Sequence, residues 1–156
     1  MIVSTDLPVA WFVSPNPGPL TLEGTCCYAV GRRRIVLLDP GPAIPGQIER
    51  LEKLVANRPV DAICLTHAHA DHSGLAMAAC ERFGSPLAAS AETLRRLGVD
   101  GNAVDDGDVV ETDEGAARLR VIRTPGHSSD HVVFLLEPGR AVFTGDLVLG
   151  TGSSAI

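Results

Sequence analysis

The chain has 156 residues, of which 45% are hydrophobic and 21% are charged, a composition typical of one globular domain spanning residues 1–156. Its net charge of -6 argues against a broad basic surface for nucleic-acid binding. No apolar run approaches the roughly 18 residues that a membrane helix needs. Residues 1–10 also lack the basic region of a secretion signal, so we expect a cytosolic protein without a membrane partner.

The first half of the chain is predicted to alternate strands with helices. Residues 25–30 and 34–38 predict two strands, with Gly31 and Arg32 as the hairpin turn between them. Apolar residues between 44 and 57 recur at the three- and four-residue spacing of an amphipathic helix. The pattern then predicts a buried strand at 62–65, a helix at 74–83, a strand at 87–89 and a short helix at 91–97.

The second half is predicted to contain mainly turns and strands. Residues 102–115 are acidic and rich in turn-forming residues, and strands are predicted at 119–122, 132–136 and 141–144. The mixture favours an α/β or α+β layered domain. Because no helix is predicted after these strands, one sheet face would lack a cover, and we expect further sequence after Ile156.

The four cysteines form no C-x-x-C pair, which argues against a zinc ribbon or a thioredoxin-like site. Cys26 and Cys27 are adjacent and would point to opposite faces of a strand. We expect all four to be small buried hydrophobic residues that stay reduced. They are Cys26, Cys27, Cys64 and Cys80.

Three of the five histidines fall within six residues, directly after a predicted buried strand. Imidazole and carboxylate are ligands that zinc and similar divalent metals prefer. The two-residue spacing of His67 and His69 puts them on one side of an extended segment, and the small alanines between ligands leave space for two metals. Unrelated surface histidines are the alternative, but four metal-type side chains in six positions favour a metal site. The segment is His67-Ala68-His69-Ala70-Asp71-His72.

Two further ligand-type residues each follow a predicted strand. His127 comes after Pro125-Gly126, a turn that can present an imidazole at a strand end, and Asp146 comes after Gly145. Alone, each would be interpreted as an ordinary turn residue. The upstream histidine cluster favours a metal-binding role for both, since a carboxylate has two oxygens and can bridge two metals.

Together these motifs resemble the metallo-β-lactamase superfamily. The resemblance rests on H-x-H-x-D-H at 67–72, on His127 after Pro-Gly, and on Asp146 after Thr-Gly; Asp39, at the end of a predicted strand, is similar to that family's first motif. It covers about residues 15–150. Segments 16–19, 24–25, 124–127 and 145–150 look closest to the glyoxalase II-like and β-lactamase-like protein 2 branches.

The resemblance implies an αββα sandwich with two metals at one edge between the sheets. Asp39 is implied to support the histidine loop by hydrogen bonds rather than to bind metal. His131 matches no ligand position of the family, and we assign it a supporting role, with a simple strand start as the alternative. The implied ligands are His67, His69 and His127 for the first metal, Asp71 and His72 for the second, and Asp146 as the bridge.

The chain departs from the family pattern near its C-terminus. The family's fifth motif is a histidine that completes the second metal site, but no histidine follows His131. The terminal helices of the family are missing as well. We therefore expect a sandwich that is incomplete at the C-terminus, with a second site that lacks one ligand.

The resemblance implies a metal-dependent hydrolase that uses a metal-bound hydroxide, with Asp71 as the catalytic residue that orients it or passes a proton to the leaving group. Zinc is the expected metal, two per complete site, with iron or manganese as alternatives. The substrate is expected to be an ester, a thioester or a phosphodiester, RNA included. β-Lactams rank last because their hydrolases are usually exported.

A second hypothesis belongs to a different class of protein. The chain would then be an inactive or weakly active metal-binding fragment of a longer hydrolase. Metal stoichiometry and turnover discriminate between the two hypotheses. The residues leave open whether the substrate is a small molecule or a nucleic acid, and whether the chain forms a homo-oligomer.

Overall fold

The computed structural model describes residues 2–3, 7–115, 117–137 and 141–149. Seven strands form a first sheet in which each strand pairs with the next along the chain. Neighbouring strands are antiparallel from the first strand to the fourth, and parallel from the fourth strand to the seventh. The strands are β1 (Ile2–Val3), β2 (Val9–Val13), β3 (Cys26–Val30), β4 (Ile35–Leu38), β5 (Val60–Cys64), β6 (Leu87–Ser90) and β7 (Asn102–Val104).

Helices connect the parallel strands, as parallel pairing requires a crossover. They are α1 (Gln47–Val55), α2 (Ala70–Ser73), α3 (Ala76–Phe83) and α4 (Ala91–Leu97). Their apolar residues pack on one face of the first sheet; this core includes Leu51 and Leu54 of α1, Ala79 of α3 and Leu94 of α4. The longest of the described helices has nine residues, and none is long and apolar enough to cross a bilayer.

A second, antiparallel sheet covers the other face of the first. Its order is β11-β10-β9-β8, and alternate side chains of its strands point inward. Leu119 and Phe134 are fully buried there against Val36 and Leu38 of β4. The four strands are β8 (Val109–Thr112), β9 (Ala117–Arg123), β10 (Val132–Glu137) and β11 (Ala141–Phe143).

The layered α/β class predicted from the sequence is confirmed, and the element boundaries differ for local reasons. Helix α1 begins at Gln47 rather than at 44, because Gly46 has a φ of 75° and lies outside the helix. The helix ends at Val55, since Ala56 is left-handed. The turn-rich segment 102–115 also contains β7 and β8, which the sequence did not predict and which form by pairing with β6 and β9.

Asp113 joins the two sheets at the edge remote from the histidines. Its carboxylate accepts hydrogen bonds from the backbone N–H groups of Arg33 at 3.0 Å and Arg34 at 2.6 Å, and also from that of Arg32. These bonds hold the pKa of the mostly buried Asp113 below its usual range, although burial acts in the opposite direction. The three arginines are exposed and form a solvated basic end of the β3–β4 hairpin.

The ends of several strands converge at the opposite edge. Asp39 follows β4, and the histidine segment follows β5, its parallel neighbour. The backbone N–H of Val132, at the start of β10, donates to the carbonyl of Thr66 at 2.9 Å. This bond links the second sheet to the histidine segment. Side chains from both sheets therefore meet at one edge, which is where the candidate site lies.

Candidate metal centre

A buried carboxylate organises the histidine segment. Asp39 has a left-handed φ of 47°, which turns the chain sharply at the end of β4. Its Oδ1 accepts the backbone N–H of Thr66 at 2.8 Å, and its Oδ2 accepts the Thr66 hydroxyl at 2.8 Å. The same Oδ2 lies 2.9 Å from Nδ1 of His72. Asp39 thus contacts Thr66, directly before the histidine segment, and His72, the last residue of that segment.

These bonds determine which ring nitrogen of His67 can bind a metal. The Thr66 hydroxyl donates to Asp39, so its oxygen accepts the proton on Nδ1 of His67, 3.0 Å away. This tautomer leaves a lone pair on Nε2. Burial lowers the pKa of His67 to about 3, with the nearby His72 charge acting in the same direction. His67 is therefore neutral at physiological pH, as a metal ligand must be.

Three imidazole nitrogens converge on one point. Nε2 of His67 lies 3.0 Å from Nδ1 of His69, and Nε2 of His127 lies 2.9 Å from that same Nδ1. Ligands on a tetrahedral zinc, with bonds of about 2.0–2.1 Å, lie about 3.3 Å apart. The spacing of the three nitrogens therefore fits a shared divalent cation. Asp146 joins this cluster, with ligand atoms within 4.8 Å of one another.

A second cluster adjoins the first and contains Asp71, His72 and Asp146. Nε2 of His72 lies 3.1 Å from Oδ1 of Asp146 and 3.4 Å from Oδ2 of Asp71. The other oxygen of Asp146 lies 3.6 Å from Nε2 of His127. One carboxylate thus faces both clusters with different oxygens. The two clusters together bring all six ligand candidates of the sequence to one edge.

Charges in the second cluster are strongly coupled. Burial lowers the pKa of His72, but the carboxylates of Asp39 and Asp146 outweigh it and raise this pKa to about 10. Burial raises the pKa of Asp146, and His72 outweighs it and lowers this pKa to about 2. A metal bound here would have to displace the proton of His72. The surrounding carboxylates would then balance the charge of the metal rather than that of the protonated imidazole.

Asp71 is held by residues from a distant loop. The Thr25 hydroxyl donates to Oδ2 of Asp71 at 2.9 Å, and the side-chain amide of Asn16 donates to the Thr25 oxygen at 3.1 Å. The carbonyl oxygen of the Asn16 amide accepts the Thr25 backbone N–H at 3.0 Å. Sequence reasoning did not assign these two residues a role, although both lie in segments that carry the family resemblance.

His131 lies beside the first cluster rather than among its converging nitrogens. It is buried, its ring centre is 4.9 Å from that of His67, and its Nδ1 is 3.0 Å from the hydroxyl of Thr124. Its Nε2 has no hydrogen-bond partner among the described residues. Burial lowers the pKa of His131, so its ring is neutral and packs against that of His67.

A cavity of about 370 Å³ opens beside the second cluster. Asp71, His72 and Asp146 lie at its polar end, and no lysine or arginine is among the described residues that line it. Cys26 lines this cavity, so the expectation that all four cysteines are buried was wrong; Cys80 is also only half-buried. The apolar wall consists of Val13, Leu20, Leu22, Val148 and Leu149.

A family model described as the metallo-beta-lactamase superfamily matches residues 20–153. The chain belongs to the metallo-β-lactamase superfamily. The lactamase-like protein aptB of Emericella nidulans is 38% identical over 144 residues, which cover 90% of this chain and 45% of that protein. An atrochrysone carboxyl ACP thioesterase of Aspergillus chevalieri is 36% identical over 144 residues, which cover 90% of this chain and 46% of that protein. This chain thus spans less than half the length of either relative.

Solved structures agree with the metallo-β-lactamase assignment. ETHE1 from Myxococcus xanthus has a TM-score of 0.74 and 27% identity, over 94% of this chain and 60% of that one. A beta-lactamase domain protein from Burkholderia ambifaria has a TM-score of 0.81 over 96% of this chain and 57% of that one. Its identity of 22% shows the fold alone. The metallo-β-lactamase fold expected from the sequence motifs is confirmed.

Proposed function

We propose that this chain carries the metal-binding core of a metal-dependent thioester hydrolase. The observation that carries the proposal is a ligand cluster at the polar end of a cavity that has an apolar wall and no lysine or arginine among its described lining residues. An atrochrysone carboxyl ACP thioesterase is among the relatives, which supports a thioester as substrate. A cytosolic location stays a prediction.

The donor set supports two zinc ions. Neutral imidazoles and carboxylates suit zinc, and iron or manganese would accept the same His/Asp mixture. His67, His69 and His127 would hold one metal and Asp71 and His72 the other, with Asp146 between them. When bound, such metals supply Lewis acidity toward the carbonyl and lower the pKa of water to about 7.

The protein's own residues would orient the reaction. Asp71 lines the cavity, and the Thr25 hydroxyl holds its Oδ2. A carboxylate positioned in this way can orient the attacking water and move a proton toward the leaving sulfur. The apolar wall, in which Leu20 and Val148 are exposed, would lie against the acyl group and keep the thioester carbonyl near the ligand cluster.

The cavity favours a thioester over a phosphodiester. A phosphate oxygen carries a charge that enzymes usually neutralise with lysine or arginine in addition to metal. Here Glu23 and the ligand carboxylates line the cavity instead. A neutral thioester with an apolar acyl group meets no such repulsion. The net charge of -6 gives no electrostatic attraction for RNA.

A substrate panel tests this proposal. Zinc-loaded protein should hydrolyse an acyl thioester faster than a bis-phosphodiester or a β-lactam, and the double variant His67→Ala, His69→Ala should lose both zinc and turnover. Preference for the bis-phosphodiester would contradict the thioester assignment. Thioester hydrolysis that persists in the double variant would contradict metal dependence itself.

Metal stoichiometry tests the alternative of an inactive metal-binding fragment. Two zinc ions per chain with turnover support the enzyme, whereas about one zinc with negligible turnover supports the fragment. The measurement combines elemental analysis of dialysed protein with the thioester assay on the same sample. A homo-oligomer, if formed, is detected by sedimentation of that sample.

A further inference from the structure

A second buried carboxylate lies between the two loops that carry the first cluster. Asp130 is 2% exposed, and it lies three residues after His127. Its Oδ2 accepts the backbone N–H of Ala68 at 2.8 Å. Ala68 separates His67 from His69, so this bond acts on the backbone between two ligand candidates.

The other oxygen of Asp130 acts on the loop of His127. Oδ1 accepts the hydroxyl of Ser128, the residue that directly follows His127. It also accepts Nη1 of Arg96 at 3.0 Å, and the same Nη1 donates to the Ser128 hydroxyl at 3.0 Å. One carboxylate therefore contacts both histidine loops, one through each of its oxygens.

Helix α4 anchors this arrangement to the first sheet. The Thr93 hydroxyl donates to Oδ2 of Asp130 at 2.7 Å, and the Ser90 hydroxyl donates to the Asp130 backbone carbonyl at 2.9 Å. Arg96 reaches across with Nη2, 2.8 Å from the hydroxyl of Ser129. A buried carboxylate is costly unless it is paired and hydrogen-bonded, and this one has both kinds of partner.

We propose that Asp130 is a positioning residue that sets the spacing between the loop of His67 and His69 and the loop of His127, so that the three imidazoles meet at one metal. Asp39 orients individual rings, whereas Asp130 holds two backbone segments at a fixed separation. The geometry of metal ligands depends on the hydrogen bonds that orient them, and loss of such a bond typically weakens metal binding about 10–100-fold. The proposal rests on the metal site proposed above.

The matched variants are Asp130→Asn and Asp113→Asn. Both remove the charge of a buried carboxylate that accepts backbone N–H groups, but Asp113 lies at the edge remote from the histidines. Zinc affinity is measured by chelator competition, and cobalt-loaded protein reports ligand geometry by its visible absorption. We expect Asp130→Asn to bind zinc at least 10-fold more weakly with an altered cobalt spectrum. Asp113→Asn should keep the wild-type affinity and spectrum.

A milder pair of variants keeps the test decisive if Asp130→Asn does not fold. Thr93→Val removes the hydroxyl that donates to Asp130, whereas Thr93→Ser keeps it. Weaker zinc binding in Thr93→Val together with rescue in Thr93→Ser supports the proposal. Wild-type affinity and spectrum in either Asp130→Asn or Thr93→Val overturn it. A wild-type chain that binds no zinc overturns the metal site as well, which distinguishes the two failures.

Discussion

Oδ2 of Asp39 lies 2.9 Å from Nδ1 of His72, and the two side chains are only 3% and 5% exposed. This contact directs Nε2 of His72 toward Asp71 and Asp146. The same carboxylate, through Thr66, sets the tautomer of His67. Asp39 therefore controls one ligand candidate in each cluster, which is more specific than the loop support implied by the family resemblance.

Replacing Asp39 with asparagine should disturb the second cluster most. An asparagine can still accept the Thr66 N–H through its oxygen, but its NH2 group would then donate to Nδ1 of His72. The imidazole proton would move to Nε2, where it blocks metal binding. We expect Asp39→Asn to weaken the second metal about 10–100-fold, measured by zinc titration calorimetry.

The control for Asp39→Asn is again Asp113→Asn, which removes a buried charge at the remote edge. If the Asp39 variant binds two zinc ions as tightly as the wild type, the tautomer argument is wrong. Equal losses in both variants would indicate a general effect of destabilisation rather than control of His72.

The metal-free protein should lose stability at alkaline pH. The folded-state pKa of His72 is raised from 6.5 to about 10, so its proton is bound more tightly in the folded chain than in the unfolded one. This contribution is complete below pH 6.5 and disappears as the pH rises toward about 10. The thermal midpoint of chelator-treated protein should fall across that window. His72→Gln should show a smaller fall, and an equal fall in both proteins would refute this origin.

Gly145→Ala should damage the site through geometry alone. A Cβ at this position would lie 2.7 Å from both Thr66 Oγ1 and His131 Nε2, and the φ of Gly145 is 49°. Backbone strain of this kind costs about 1–3 kcal/mol. A shift of the backbone that relieves the strain would displace the neighbouring Asp146. We expect a lower urea midpoint together with weaker zinc binding. Gly84→Ala has a similar φ of 64° and no atom within 4 Å, so it should lose stability but keep zinc affinity.

Leu20 should contribute to substrate binding but not to stability. It is 87% exposed although it belongs to the apolar wall of the cavity. Leu20→Ser should raise KM for a long-chain acyl thioester several-fold and leave kcat and the thermal midpoint unchanged, because it removes uniform apolar contact. Met77→Ser, at an exposed apolar residue of α3, is the control. An unchanged KM for the long-chain substrate would exclude Leu20 from the acyl site.

Predictions from the sequence succeeded where the signal is local. The apolar runs at β4 and β5 predicted strands, the second of them buried, and each strand contributes side chains to both hydrophobic cores. Ligand-type residues after strand ends carried the family resemblance, which implied a site at one edge between the sheets. Strands β7 and β8 were missed because neither has a long apolar run of its own, and pairing with β6 and β9 makes them strands.

The sequence alone determined the layered fold class, the family motifs and the six ligand candidates, because hydrophobic periodicity and residue chemistry are properties of short segments. Only the tertiary structure decided that Thr25 holds Asp71 and that Asp130 joins Ala68 to the loop of His127. Those partners lie 46 and 62 residues apart, and hydrogen bonds over such separations depend on how the sheets pack. Local patterns cannot encode them.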